Sequence, residues 1–329
     1  MRTIRWGIIG CGDVTEKKSG PGFQKASNSE LVAVMRRNSA AAEDYAKRHN
    51  VSEWYDDADK IINHPDIDIV YIATPPGSHE MYTLRCAAAG KPVYVEKPMS
   101  RNPTESQRMI DACKTAGVPL YVAYYRRSLP MFLKVKELID SDAIGEVRTV
   151  NMTKYWPIET EDQSTTPPWR VDPEIAGAGR FLDIASHAFD FLDFVFGPIA
   201  DATGHAANQG GFYKAEDVVT ASYRFECGIQ GSGTWCFTGP ECADVDRIEI
   251  LGTKGMLTFS CFQHDNPLRV RTSHAAEEFY FDELPHIQQP FIQTIVDEMN
   301  GIGVCPSTGE TGIRTDYVMD SILKGWRGS

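Results

Sequence analysis

The stretch IRWGIIGCGDVT, Ile4 to Thr15, decides how the chain is read. Ile4–Ile9 is an almost unbroken apolar run, the pattern of a strand covered on both faces. It runs directly into Gly10 and Gly12. A G-x-G at the end of a buried strand, opening the first βαβ unit, is the setting of the dinucleotide fingerprint. Gly10 permits the tight turn, and Gly12 lets the backbone approach a pyrophosphate. A purely structural turn uses the same glycines, and the third fingerprint position holds Thr15 rather than Gly or Ala. KSGPGF, Lys18–Phe23, is expected to break the first helix, with a restart at Pro21. The expected cofactor contacts here are Gly10, Cys11, Gly12, Asp13 and Val14.

Outward from this turn, strands and helices alternate. Leu31–Arg36 reads as a second strand and Ile67–Pro75 as a third. Ser39 is placed to cap a helix to His49, and Ser78 to cap another that ends at Gly90. Val93–Val95 is a short strand. Asn102 as N-cap, Pro103 at the first helical position and Gly117 at the end frame the next helix. VPLYVAYYR supplies a further strand. This grammar predicts a parallel, doubly wound sheet over residues 1–124. Residues 125–329 change to paired strands: Val218–Glu226 with Gly228–Phe237, Arg247–Leu251 with Met256–Ser260, and Leu268–Thr272 with Glu278–Phe281. They predict a second α+β domain with a mostly antiparallel open sheet, one helix near Arg180–Val195, and closing helices near Gln289–Asn300 and Gly309–Lys324.

Bulk properties restrict the function. The 329 residues carry a formal net charge of −12, with 42% hydrophobic and 24% charged residues. That balance argues against nucleic acid as a partner. No apolar run approaches the roughly 18 residues of a membrane span. The start of the chain lacks the pattern of a secretory signal, so a cytoplasmic protein is expected. Eight scattered cysteines form no C-x-x-C pair, which predicts reduced thiols and no metal site.

In an open parallel sheet, ligands lie beyond the carboxyl ends of the strands. Gly10–Gly12, Arg36–Arg37, Thr74–Pro75 and Glu96–Lys97–Pro98 all fall at such ends. An NAD-specific site places Asp or Glu after the second strand. Arg36 and Arg37 instead suit a 2′-phosphate, so NADP is the expected cofactor, with NAD possible. Lys97 ends a buried strand just before a proline. With no Y-x-x-x-K pair and no zinc site, it is the candidate cation beside a developing alkoxide.

In GAGRFLDIASHAFD, Asp183 and His187 are four residues apart and share a helix face, with Asp190 on the same side. Leu182, Ala185, Phe189 and Leu192 form the core stripe. A bare D-x-x-x-H also occurs as a surface pair. Histidine suits proton transfer near neutrality.

The ordered set GCGDV, YIATPPGSH, AAAGKPVYVEKPM, VAYYRR, PWRVDPEIAGAGRFLDIASHAFDFLDFVFG and STGETGIRTDYVMDSI resembles the Gfo/Idh/MocA family of glucose–fructose oxidoreductases and inositol dehydrogenases. The resemblance implies a catalytic lysine, Lys97, with a cis peptide before Pro98. It makes His187 the acid/base on a substrate hydroxyl, with Asp183 orienting substrate or imidazole. It leaves open whether Lys97 or His187 takes the proton. It places Thr74, Pro75, His79 and Glu96 beside the cofactor, together with Arg170 of a Trp169–Arg170 pair, and Tyr124, Arg126 and Arg127 near the substrate. A polyhydroxylated small molecule and a homodimer or homotetramer through the second sheet follow from it. Two rivals remain: a glycosidase that retains NAD, and a non-catalytic dinucleotide sensor. His205, His264, His274 and His286 carry no expectation beyond surface or structural roles.

Overall fold

The computed structural model describes residues 1–263 and 265–327; the expectation for His264 lies outside them. Two compact units emerge, residues 1–129 with 284–313 and residues 130–283 with 314–329.

The first unit contains β1 (Ile4–Ile9), α1 (Asp13–Lys17), α2 (Gly20–Lys25), β2 (Ser29–Met35), α3 (Ser39–Arg48), β3 (Glu53–Tyr55), α4 (Ala58–Ile62), β4 (Ile69–Ile72), α5 (His79–Ala88), β5 (Val93–Val95), α6 (Pro103–Ala116) and β6 (Leu120–Val122). The strands pair in the order β3-β2-β1-β4-β5-β6, all parallel. This is the strand order of a doubly wound dinucleotide fold. The first helix breaks where KSGPGF requires, and α2 restarts with Pro21 in its first turn. Asn102 caps α6 by accepting from the Glu105 amide, and Gly117 closes it at φ 68°. Two expected caps differ. Asn38, not Ser39, accepts the Ala41 amide at the start of α3. The Ser78 hydroxyl donates to Thr74 Oγ1 at 2.8 Å and leaves the α5 amides alone.

The expected second domain, 125–329, is interrupted, because residues 284–313 belong to the first unit. The physical reason is an aromatic stack. Trp6, Phe23, Tyr71 and Tyr94 pack in series, with centroids at 4.6, 5.1 and 4.7 Å, and Phe291 of α10 (Gln289–Met299) continues the series at 5.7 Å. Burying such rings contributes about 1.5–3 kcal/mol each, enough to recruit a late segment of the chain.

The second unit contains α7 (Pro130–Asp140), β7 (Val147–Pro157), α8 (Pro173–Ala176), α9 (Arg180–Phe196), β8 (Ile199–Ala207), β9 (Val218–Phe225), β10 (Gln230–Gly239), β11 (Val245–Gly252), β12 (Gly255–Phe259), β13 (Leu268–Thr272) and β14 (Ala276–Phe279). The strand order is β14-β13-β12-β11-β7-β10-β9-β8. The three expected hairpins form, and every pairing is antiparallel except β7 with β10. α9 lies on this sheet through Phe181 and Phe189, whose rings meet Trp235 at 5.0 and 5.7 Å. Gly233 leaves the room for that indole: a Cβ there would sit 2.3 Å from Trp235.

Candidate functional site

The glycine turn is tied to the end of β2. The Gly10 and Cys11 amides both donate to the Met35 carbonyl, at 2.8 and 3.1 Å. Gly10 has φ +97°, and a Cβ would meet Thr74 Cγ2 at 2.8 Å, so only glycine fits. At Gly12 a Cβ would meet nothing closer than the Gly10 carbonyl oxygen at 3.9 Å. The space above Gly12 is thus an open cradle of the kind a pyrophosphate needs, and a side chain would fill it. The Thr15 hydroxyl donates to the Gly12 carbonyl at 2.7 Å, and the Thr15 carbonyl accepts from Tyr45 at 2.9 Å. The departure at the third fingerprint position is satisfied internally. Cys11 is buried, and burial pushes its thiol up to about 11, so it offers no thiolate. Asp13 is exposed and Val14 half-buried.

Immediately after β2, Arg36 and Arg37 are exposed, and neither side chain pairs with a carboxylate among the described residues. The Arg36 amide donates to the Tyr55 carbonyl, which fixes the backbone while the guanidinium stays outside.

The end of β5 is built differently. Lys97 is half-buried and followed by a cis peptide to Pro98. Glu96 is buried. Its Oε1 accepts from the Tyr71 hydroxyl and from Gln288 at 2.7 Å, and its Oε2 accepts from the Lys97 amide at 3.1 Å. Tyr94 completes the cluster by donating to Gln288 Oε1 at 2.7 Å. Burial, then the neighbouring Glu96 charge, holds the Tyr71 phenol well above its usual range, so it remains a donor. Expected as a cofactor contact, Glu96 has its carboxylate engaged inside the first unit and braces the backbone of Lys97.

His79 acts on the same turn. Its ring is fully buried, with Nε2 at 2.6 Å from the Thr74 carbonyl oxygen and Nδ1 at 3.2 and 3.1 Å from those of Pro98 and Met99. Burial pushes its pKa down. The ring therefore staples the Thr74–Pro75 loop to the Lys97–Pro98 turn. Tyr124 and Arg127 are buried; Arg127 donates to the Pro306 carbonyl at 2.9 Å, and Arg126 lies 5.3 Å over the Tyr125 ring.

In the second unit, α9 carries Asp183 in its first turn and His187 one turn on, with Asp190 fully buried. Arg170 Nε lies 3.8 Å from Asp183 Oδ2, and its guanidinium sits 4.7 Å over Trp169. The residue expected at the cofactor thus faces an acid of the helix. The His187 ring meets Phe262 edge-on at 5.7 Å.

Sequence reasoning missed what anchors this helix. Glu216, fully buried, accepts the Gly179 amide at 2.9 Å just ahead of α9. Burial pushes its carboxyl up to about 7. Arg180 donates to Asp162 twice, at 3.0 and 2.7 Å. No sequence motif signals either contact. Among the described residues, no three His, Cys, Asp or Glu side chains come together as a metal site, and no helix is long and apolar enough to cross a membrane.

Two family models match: the oxidoreductase family with an NAD-binding Rossmann fold over residues 4–124, and the GFO/IDH/MocA C-terminal domain over residues 132–258. The chain belongs to the GFO/IDH/MocA oxidoreductase family, and it is an oxidoreductase with an NAD-binding Rossmann fold. It is 39% identical to "Oxidoreductase P35" of Formosa agariphila, covering 96% of this chain and 97% of that one. It is 26% identical to the scyllo-inositol 2-dehydrogenase (NAD(+)) of Bacillus subtilis, covering 95% and 89%. Its fold is similar to a levoglucosan dehydrogenase solved with NADH and levoglucosan, with a TM-score of 0.88, 22% identity, and 99% and 97% coverage.

Proposed function

We propose that this chain is an NADP-preferring oxidoreductase acting on a secondary alcohol or ketone of a sugar, polyol, cyclitol or diol. The observation that carries the reading is the pair Arg36 and Arg37, exposed and without carboxylate partners among the described residues, beside a glycine turn that leaves an open cradle at Gly12. Guanidinium forks match phosphate oxygens in geometry and charge. When bound, the dinucleotide supplies hydride exchange at its nicotinamide.

The chain's own residues do the rest. Gly10, Cys11 and Gly12 line the pyrophosphate side, with Asp13 and Val14 following; Thr74 and Pro75 close the adjacent strand end. Lys97 donates to the substrate oxygen and offsets negative charge as it develops there. His187 takes the hydroxyl proton in oxidation and returns it in reduction. Asp183 holds substrate or imidazole in place, and Arg170, within reach of its carboxylate, restrains that acid.

The test is the purified protein with NADP+ or NAD+ and a panel of sugars, polyols and cyclitols, read by absorbance of the reduced cofactor. Net reduction with at least one member supports the reading. Release of an aglycone from glycosides without net reduction would transfer the chain to hydrolysis. Cofactor binding with neither reaction, across the panel in both directions, would make it a sensor.

A further inference from the structure

On β7 the side chains facing the core are Val150, Met152 and Lys154, all buried, with Lys154 only 6% exposed. A lysine at an apolar parity position draws its ammonium largely out of water, and its three donors need acceptors. The structure gives it few. Asp244 Oδ1 lies 3.5 Å away, at the outer limit of an ion pair, on a side chain that is 41% exposed. Asp246 faces Lys154 across the ladder, but its Oδ2 is taken by the Ser260 hydroxyl and by the Phe262 and Gln263 amides. Two aromatic rings lie close: Nζ is 4.6 Å from the Trp156 ring and 6.0 Å from the Phe262 ring. Phe262 is also the ring that meets His187. A buried, under-coordinated cation therefore sits one aromatic ring away from the proposed proton-handling residue.

We propose that Lys154 receives a carboxylate carried by the substrate, which makes sugar acids the substrate class; this rests on the reading of the chain as a sugar oxidoreductase. Asp244 is then a placeholder. Half-exposed and long in its contact, it is the counter-ion that a ligand carboxylate displaces. A single negative charge matches the single ammonium, and the Trp156 and Phe262 rings beside it add cation–π attraction. A phosphate's double charge would leave an excess beside Asp244 and Asp246, and phosphate is better matched by an arginine fork. The sequence carried one signal for this residue, a charge at an apolar position of a strand.

The experiment is calorimetric titration of the full-length protein with NADP+ present, using matched pairs: glucose and glucuronate, galactose and galacturonate, mannose and mannuronate. At least one acid is expected to bind about 10–100-fold more tightly than its neutral partner. Lys154→Met should erase that ratio, Lys154→Arg should keep part of it, and Asp244→Asn should increase it. If Lys154→Met melts early, Lys154→Gln carries the same comparison. The inference is overturned if no acid is preferred in any pair, or if acid and neutral sugar weaken equally in the variants. A preference for the acid without turnover would uphold Lys154 while sinking the oxidoreductase reading. Turnover of neutral sugars with no acid preference would do the reverse.

Discussion

Two buried glutamates, one in each unit, contrast in how they are held. Glu96, behind Lys97, accepts from Tyr71, Gln288 and the Lys97 amide. Glu216, ahead of α9, is buried at least as deeply, yet its Oε1 accepts the Gly179 amide and its Oε2 has no partner among the described residues. Burial disfavours the charged form of Glu216, and a single amide donor offsets little of that cost. The first carboxylate is a brace built from charge-assisted hydrogen bonds. The second is penalised for ionising, and its carboxyl is pushed up to about 7. The same side chain is an asset or a liability according to how many donors its neighbours supply.

The proposed active residues that these glutamates underpin give the largest expected effects. His187→Ala should lower kcat by about 10²–10⁴-fold and change the pH–rate profile; an unchanged profile sends the proton elsewhere. Lys97→Met should lower kcat by about 10²-fold or more while cofactor affinity, measured by fluorescence titration, stays near wild type. Retention of wild-type kcat would remove Lys97 from the chemistry.

The comparison itself can be broken by one substitution made twice. Glu216→Gln keeps an acceptor for the Gly179 amide and removes the ionisation penalty. With a folded pKa of about 7 against 4.5 for the free side chain, Glu216 favours the folded state fully below pH 4.5, and that advantage is lost as pH rises through 7. Wild type should therefore lose stability from pH 5 to pH 8. Glu216→Gln should flatten that loss, by up to about 3 kcal/mol in denaturant melts. Glu96→Gln should act in the opposite direction, costing about 1–3 kcal/mol at either pH, because an amide nitrogen is turned toward a donor. Equal signs for the two variants would contradict the comparison.

Much of the first unit was legible because its signals are local. Buried runs such as Ile69–Ile72 mark strands, and Asn102, Pro103 and Gly117 punctuate α6. The second sheet was half legible. Its three hairpins follow from short turns, but β7 was not singled out although it lies at the centre of the sheet. Its partner β10 is parallel and distant in sequence, so no turn announces it. β8 was missed as well, since its residues are largely half-exposed. The return of residues 284–313 to the first unit depends on Phe291 and Gln288 meeting Tyr94, contacts that no sequence period encodes. Within the candidate site, motifs named Lys97, Asp183 and His187. The bracing by Glu96 and His79, the Arg170–Asp183 approach and the placement of Lys154 are tertiary, and they became visible only in three dimensions.

Cofactor choice tests the account most directly, because it isolates Arg36 and Arg37 from every question about substrate. Each contact from an exposed guanidinium to a 2′-phosphate contributes toward the low end of about 1.5–3 kcal/mol. One contact gives roughly 10-fold discrimination and two give on the order of 10²-fold. The measurement is kcat/KM for NADP+ and for NAD+ with one substrate, in wild type and in the double variant Arg36→Ala, Arg37→Ala, at low and high salt. The account predicts that wild type prefers NADP+, that the preference weakens with salt, and that the double variant loses it through a raised KM for NADP+. A wild type that prefers NAD+, or a double variant that keeps its preference for NADP+, contradicts it.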